Sequence, residues 1–131
     1  MPSFHKITII KEGKPKEGDV NIRLQWFCKS FGMFTERDKE KSCYRIFVEL
    51  LKHKHGLTSD ELAKNANLSR GTTIHHLNRL MDEGLVVMGK GKYMLRVRSL
   101  KALVAQIEDD IDEFLDGMEE TARKIDKELE F

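Results

Sequence analysis

Between residues 35 and 84 the hydrophobic positions repeat every three or four residues, which is the spacing of amphipathic α-helices. In the stretch 35–53 the apolar positions of this repeat are Tyr44, Phe47, Leu50 and Leu51. Thr35 precedes Asp38 by three residues, which is the spacing of a helix cap, and Gly56 follows the last apolar position. The pattern predicts one amphipathic helix that begins near Thr35 and ends before Gly56.

Two shorter helices are predicted next. Thr58 or Ser59 can cap the first of them, and Asn67–Leu68 form a tight turn after it. Ser69 can cap the second helix, which extends to Gly84. Two short helices joined by about three residues form a helix-turn-helix.

Directly after Gly84 the pattern changes to that of strands. Leu85–Met88 and Tyr93–Val97 are strand-like runs on either side of Gly-Lys-Gly-Lys, which predicts a hairpin with a basic tip at 89–92. A helix-turn-helix followed at once by a basic β-hairpin is the pattern of a winged helix.

The first 34 residues combine a strand signal with an ambiguous aromatic segment. Residues 3–10 are rich in β-branched side chains and precede a turn-forming stretch, so a strand and a loop are predicted. In 20–34 the apolar residues fit both alternation and a helical repeat that Asp19 could cap. Because the adjacent Trp26 and Phe27 break the alternation, we favour a helix. The pattern leaves open whether the aromatic residues form core, dimer contact or ligand pocket.

A long helix is predicted from Ser99 onward. Its hydrophobic residues alternate at spacings of four and three, with Thr121 in one position, and this apolar seam consists of Leu100, Val104, Ile107, Ile111, Phe114, Met118 and Ile125. A narrow apolar seam on a long polar helix is typical of a coiled coil, so we expect it to mediate a homodimer. Packing of the helix onto its own domain is the alternative, and both can hold for different parts.

The charge distribution indicates a partner. The net charge is only +1, but residues 64–101 contain eight basic and two acidic residues, whereas 102–131 contain three basic and eleven acidic ones. A basic block of net charge +6 beside an acidic block of net charge −8 indicates nucleic-acid binding by the basic part.

Together these patterns predict a mainly α fold with a small β-hairpin wing, namely a winged helix-turn-helix with a long C-terminal dimerisation helix. A length of 131 residues fits one domain, or one domain with an appendage. We expect an N-terminal strand and aromatic segment at 1–34 that packs on the core or on a dimer partner. A DNA-binding winged helix-turn-helix at 35–98 and an acidic, coiled-coil-like dimerisation helix at 99–131 would follow.

The helix after Ser69 has one face for the core and one for a ligand. At about 100° per residue, Thr73, Leu77, Leu80 and Met81 share the core side. The other side presents short polar groups and arginines, which can contact bases and phosphates in a major groove. With the wing lysines, the candidate DNA-binding residues are Ser69, Arg70, Gly71, Thr72, Ile74, His75, Arg79, Lys90 and Lys92. Ile74 lies on the boundary, where it either meets a thymine methyl or widens the core.

This stretch resembles the recognition segment of ArsR-type winged helix-turn-helix transcription regulators. The residues that match the family pattern are Ser69, Thr72, His76, Leu77, Leu80, Gly84, Leu85 and Val86. The chain departs from the pattern at Thr73, where the family has a core valine, and at Ile74, where it has a serine that faces DNA. The resemblance covers residues 40–116, and the part before it resembles a small group of uncharacterised archaeal regulators. It implies a transcription regulator that binds DNA.

No metal, cofactor or catalytic site is predicted. Adjacent helical side chains point about 100° apart, so His75 and His76 cannot readily chelate one ion. The C-x-C and Asp-x-His motifs through which many ArsR-type relatives sense metals do not occur, which disfavours a metal-responsive repressor. No nucleophile motif, phosphate loop or cofactor fingerprint occurs either, so we do not expect an enzyme. Cys28 and Cys43 are interpreted as buried structural thiols.

We therefore expect a cytoplasmic homodimer that binds double-stranded DNA sequence-specifically, with helix 69–83 in the major groove and wing 89–92 on the backbone. Two-fold symmetry predicts an inverted-repeat operator with half-sites roughly 34–36 Å, or a multiple of this, apart. The alternative from another class is a winged helix used for protein assembly, against which the basic block argues. No segment approaches the ~20 apolar residues of a membrane span, so no membrane partner is expected.

Overall fold

The computed structural model describes residues 4–15 and 17–130. Its helices and strands, in chain order, are α1 (Val20–Ser30), α2 (Ser42–Lys52), α3 (Ser59–Ala66), α4 (Arg70–Asp82), β1 (Val86–Gly89), β2 (Lys92–Leu95) and α5 (Leu100–Leu129). The chain divides into two compact units, Met1–Arg96 and Val97–Phe131. The predicted fold class, mainly α with a β-hairpin wing and a long C-terminal helix, is confirmed.

The core of the first unit is formed by α2, α3 and α4, which pack against one another. Ile46, Phe47 and Leu50 of α2 are fully buried, as are Leu62 of α3 and Leu77 and Leu80 of α4. Each fully buried side chain of this size contributes roughly 1.5–3 kcal/mol of transfer free energy. The predicted positions Phe47, Leu50, Leu77 and Leu80 are therefore core residues. In α2 the buried face also contains Ile46, which the predicted stripe omitted, whereas the predicted Tyr44 and Leu51 are only half-buried.

The start of α2 differs from the prediction. The hydroxyl of Thr35 accepts a hydrogen bond from the Asp38 N–H at 3.2 Å, but this belongs to an isolated turn. The helix begins at Ser42, and the Asp38 carboxylate accepts the N–H groups of Ser42 and Cys43 at 2.8 and 2.9 Å. Residues 36–41 are all charged and bury no apolar face, so no packing holds them in a helix.

The predicted caps of α3 and α4 are confirmed. Thr58 and Glu61 form a reciprocal capping box, with the two hydrogen bonds at 3.1 and 2.9 Å. Asn67 takes the left-handed conformation, with φ of 55°, in the turn between the helices. The Ser69 hydroxyl accepts the N–H of Thr72 at 3.1 Å and starts α4. These local hydrogen bonds fix where α4 begins.

The predicted wing is present as an antiparallel hairpin. Its register pairs Val86 with Leu95 and Gly89 with Lys92, which leaves Lys90 and Gly91 as a two-residue turn. Both turn residues have positive φ, 54° and 76°, as a type I′ turn requires. The wing is therefore short, and its tip presents two exposed lysines, Lys90 and Lys92.

The strand predicted at 3–10 is wrong for the described residues 4–10, none of which lies in a strand. The backbone of this segment is held by His5 N, which donates to Asp82 O at 2.7 Å, and by Ile10 N, which donates to Ser30 O at 2.8 Å. Isolated hydrogen bonds of this kind do not make a ladder, so the β-branched residues extend along the surface without a partner strand. Ser3 lies outside the described residues.

The helix favoured for residues 20–34 is present over Val20–Ser30. Asp19 caps it by accepting the N–H of Ile22 at 3.0 Å. Phe31 is buried, whereas Trp26 and Phe27 are half-buried. Part of the aromatic segment therefore belongs to the core of the first unit.

The second unit is dominated by α5, which begins where predicted. The Ser99 hydroxyl accepts the N–H of Ala102 at 3.1 Å, and the helix continues for 30 residues, a length of about 45 Å. Leu103 and Ile107 are buried, whereas the apolar side chains from Phe114 onward are at least 48% exposed. The apolar seam thus has a buried first part and an exposed second part.

Candidate nucleic-acid interface

The start and outer face of α4 present the candidate DNA-binding residues to solvent. Ser69, Arg70, Gly71 and His75 are exposed, and Thr72 is half-buried. The Arg70 side chain is 75% exposed, and its Nε lies 3.7 Å from the Asp60 carboxylate, a surface contact that contributes little to stability. A Cβ added at Gly71 would meet nothing within 4 Å, so the backbone there is open to close approach.

The opposite face of α4 is packed as predicted. Leu77 and Leu80 are fully buried, and Met81 is half-buried. Thr73 is also fully buried, and its hydroxyl donates to the Ser69 carbonyl at 2.9 Å. This hydrogen bond satisfies the buried hydroxyl, which explains how a threonine is accommodated at a fully buried position. Ile74 is half-buried, on the boundary where the prediction placed it.

The two histidines of α4 have different surroundings although their rings are close. His75 is exposed, whereas His76 is 7% exposed, and their ring centroids lie 5.2 Å apart. The Nε2 atom of His76 lies 3.9 Å from an Asp38 carboxylate oxygen. Burial lowers the pKa of His76 below its ordinary value of 6.5, although Asp38 acts in the opposite direction. His76 is therefore packed inside the domain, whereas His75 faces outward.

Arg79 is tied to the protein interior. Its Nε donates to the Glu83 carboxylate at 3.2 Å, and an Nη atom donates to the carbonyl of Gly32. The Arg79 side chain is 30% exposed and that of Glu83 only 6%. Arg79 thus connects α4 to the segment after α1, and its predicted DNA contact would have to compete with these bonds.

A cavity that the sequence pattern did not indicate lies between the segment before α2 and α4. Its volume is about 440 Å³, and its lining includes Arg37 and Lys39 on one side and Thr72 and His75 on the other. Residues 36–41 have no hydrophobic periodicity, since all six are charged. Only the folded arrangement brings Arg37 and Lys39 beside α4.

The cysteines are buried, in agreement with the interpretation as structural thiols. Both are fully buried and free. Burial raises the pKa of Cys28 and of Cys43 to about 12, so both thiols are protonated near neutral pH.

Among residues 4–15 and 17–130, no three His, Cys, Asp or Glu side chains are grouped so that they could hold a metal ion. Within the same residues, no helix has the length and apolar character that membrane crossing requires.

The seam residues of α5 do not all share one environment. Ile107 is 3% exposed, and Leu100 and Ile111 are half-buried. The exposed members are Val104 at 43%, Phe114 at 60%, Met118 at 53% and Ile125 at 48%. Leu115 and Leu129, which the seam prediction left out, are also exposed, at 50% and 59%. They widen the exposed apolar face, because they lie beside Ile111, Met118 and Ile125 at helical spacing.

A comparison with known proteins agrees with the arrangement of α2, α3, α4 and the wing. Residues 45–87 match the family model described as winged helix-turn-helix DNA-binding. No curated protein and no solved structure matches the chain. The match extends from α2 into β1 and does not distinguish an ArsR-type or archaeal subgroup. Over residues 45–87 the chain is therefore similar to winged helix-turn-helix domains of the DNA-binding kind.

Proposed function

We propose that the protein is a cytoplasmic transcription regulator, ArsR-like in its recognition segment, that binds double-stranded DNA as a homodimer. The observation that supports this most is the exposed face of α4, with Arg70, Gly71 and His75, inside a domain that matches a DNA-binding family model. One face of α4 is anchored by Leu77 and Leu80, so the other is held rigidly for a ligand.

In this proposal α4 lies in the major groove and the wing lies on the neighbouring backbone. Arg70 is at the first turn of α4, where it can reach a base edge or a phosphate. The Lys90 and Lys92 side chains of the wing contribute affinity that falls with salt and depends little on base sequence. Sequence discrimination is therefore expected from α4 and general affinity from the wing.

The proposed dimer contact is the exposed apolar face of α5, formed by Phe114, Leu115, Met118, Ile125 and Leu129. Exposed apolar side chains in a continuous row favour burial against a second helix. A two-fold dimer of this kind would bind an inverted repeat, with half-sites set by the separation of the two recognition helices.

DNA binding is tested by mobility shift with random duplex DNA at two salt concentrations, followed by selection of bound sequences. We expect binding at low salt, a steep loss of affinity with added salt, and enrichment of a palindrome. A winged helix that serves only protein assembly would not bind at low salt, and this result would refute the proposal.

Dimerisation is tested by sedimentation of the double variant Phe114→Asp, Met118→Asp. Both side chains are more than half exposed, so the substitutions should leave the fold intact while placing charges in the contact. The matched control is Glu113→Asp with Glu119→Asp, which changes neighbouring positions and keeps their charge. We expect monomers with weaker operator binding for the first pair alone. A dimer that survives the first pair would place the interface elsewhere.

A further inference from the structure

The cavity beside α4 contains two cations that have no assigned role. Arg37 and Lys39 are exposed and line the side formed by the segment before α2. Thr72 and His75, two of the candidate DNA-binding residues, line the side formed by α4. A duplex that contacts Thr72 and His75 would therefore also lie over the opposite wall of this cavity.

The helix end next to the cavity is already occupied. Asp38 accepts the N–H groups of Ser42 and Cys43, so its own carboxylate takes the place at the α2 N-terminus where an external anion could bind. The Asp38 side chain is 10% exposed and lies beside His76. The groups of this segment suited to an external anion are therefore the Arg37 and Lys39 side chains.

We propose that this cavity receives a phosphate group of the DNA backbone, held by Arg37 and Lys39 while α4 lies in the groove. The proposal rests on the proposed function. It adds a second contact with the DNA backbone, besides the one made by the wing. Guanidinium and ammonium groups form charge-assisted hydrogen bonds with phosphate oxygens. Glu40 also lines the cavity, and its carboxylate repels the phosphate. Arg37 and Lys39 therefore raise the affinity for DNA, whereas Glu40 lowers it.

The salt dependence of DNA affinity tests this contact in the full chain. Fluorescence anisotropy with operator and random duplexes would compare wild type, Arg37→Ala, Lys39→Ala, both together, and Glu40→Gln. The double alanine variant should reduce the slope of log K against log salt by about 0.9, since it removes one phosphate contact, and each single variant should reduce it by part of that amount. Both DNAs should lose affinity equally, whereas Glu40→Gln should bind both more tightly.

The matched control is Lys14→Ala, which removes the same charge from an exposed lysine outside the cavity. It should keep the wild-type slope. Thermal unfolding should show the same midpoint for all of these variants, because the altered side chains are exposed. If the double alanine variant is unfolded, Arg37→Gln with Lys39→Gln replaces it in the same measurement.

The outcomes separate this contact from the function on which it rests. A wild-type chain that binds DNA, with a double variant of unchanged slope, would overturn the phosphate contact and leave the proposed function intact. A wild-type chain that binds no DNA would overturn both. Inorganic phosphate, compared with chloride at equal ionic strength, tests a free anion as the ligand. Phosphate could raise the thermal midpoint of wild type but not of the double alanine variant, while the two proteins have the same slope of log K against log salt for DNA. This result would assign the cavity to a free anion and overturn the proposal.

Discussion

Replacing Asp38 by alanine tests the cap that starts α2. The substitution removes two hydrogen bonds, to the N–H groups of Ser42 at 2.8 Å and Cys43 at 2.9 Å. Loss of a side-chain cap typically costs ~1 kcal/mol, and loss of a negative charge at a helix N-terminus costs roughly 0.3–1 kcal/mol more. Since the Asp38 side chain is 10% exposed, water replaces these bonds poorly. We expect the free energy of unfolding to fall by about 2 kcal/mol.

Urea denaturation followed by circular dichroism measures this loss, with Asp38→Asn and Thr35→Ala as comparisons. Asparagine keeps the size and one acceptor oxygen of Asp38, so it should cost about half as much. Thr35 accepts one hydrogen bond at an exposed site, and its loss should cost less than about 0.5 kcal/mol. If Thr35→Ala proves as destabilising as Asp38→Ala, the helix is capped at Thr35 and the reasoning is refuted.

The difference in the free energy of unfolding between wild type and Asp38→Ala should also depend on pH, which provides a second check. Burial acts to raise the pKa of Asp38, but the N–H groups of Cys43 and Ser42 outweigh it and hold the pKa below 3.8. A lowered carboxyl pKa gives stability that is complete above 3.8 and is lost as pH falls through the folded-state value. The gap between wild type and Asp38→Ala should therefore shrink below pH 3.8, and it should widen slightly as pH falls through 6.5 because Asp38 also raises the pKa of His76. A gap that begins to close near pH 6 would contradict this assignment.

Three further variants test the recognition helix and the wing. Burial lowers the pKa of His76 below 6.5, so wild type should lose stability as pH falls below 6.5. In His76→Gln the urea midpoint should depend less on pH over that range. Arg79→Met leaves the Glu83 carboxylate without its partner and should cost roughly 2–3 kcal/mol, so an unchanged thermal midpoint would disprove its structural role. Lys90→Asn should raise stability by about 0.5 kcal/mol in urea, because asparagine tolerates the positive φ of this turn better than lysine.

The elements that the sequence predicted correctly depend on interactions between near neighbours. The caps of α3, α4 and α5 join residues three apart, at Thr58, Ser69 and Ser99. The turn of the wing needs only two residues with positive φ between strand-like runs. Such local rules are present in any single sequence, so these boundaries could be predicted without knowledge of the fold.

The errors concern interactions that depend on distant parts of the chain. A strand exists only with a partner, and residues 4–10 meet single acceptors at Asp82 and Ser30 instead of a second strand. The helix was predicted to begin near Thr35, but its first N–H groups bind Asp38. Asp38 accepts N–H groups four and five residues further along, outside the three-residue spacing of a local cap, so the sequence pattern did not indicate it.

The candidate site was predictable only in part. Helical geometry separated the face of Thr73 and Leu77 from that of His75, because a repeat of about 100° per residue needs no tertiary information. The same geometry placed Arg79 on the outer face without indicating its bond to the distant Gly32 carbonyl. Arg37 likewise reaches the site only through folding, since 34 residues of chain lie between it and Thr72.

The polar side chains of α4 divide into those that stabilise the fold and those available to a ligand. Thr73 donates to the Ser69 carbonyl, His76 faces Asp38, and Arg79 donates to Glu83. A substitution at any of these three residues would lower the stability of the domain. These three positions are therefore poorly suited to change when the DNA target changes. His75 is exposed and its neighbour is not, so a substitution there can alter recognition at little cost to folding. Selectivity for a base sequence is therefore expected to depend on His75 and on the exposed Arg70, with the buried histidine beside them holding the helix in place.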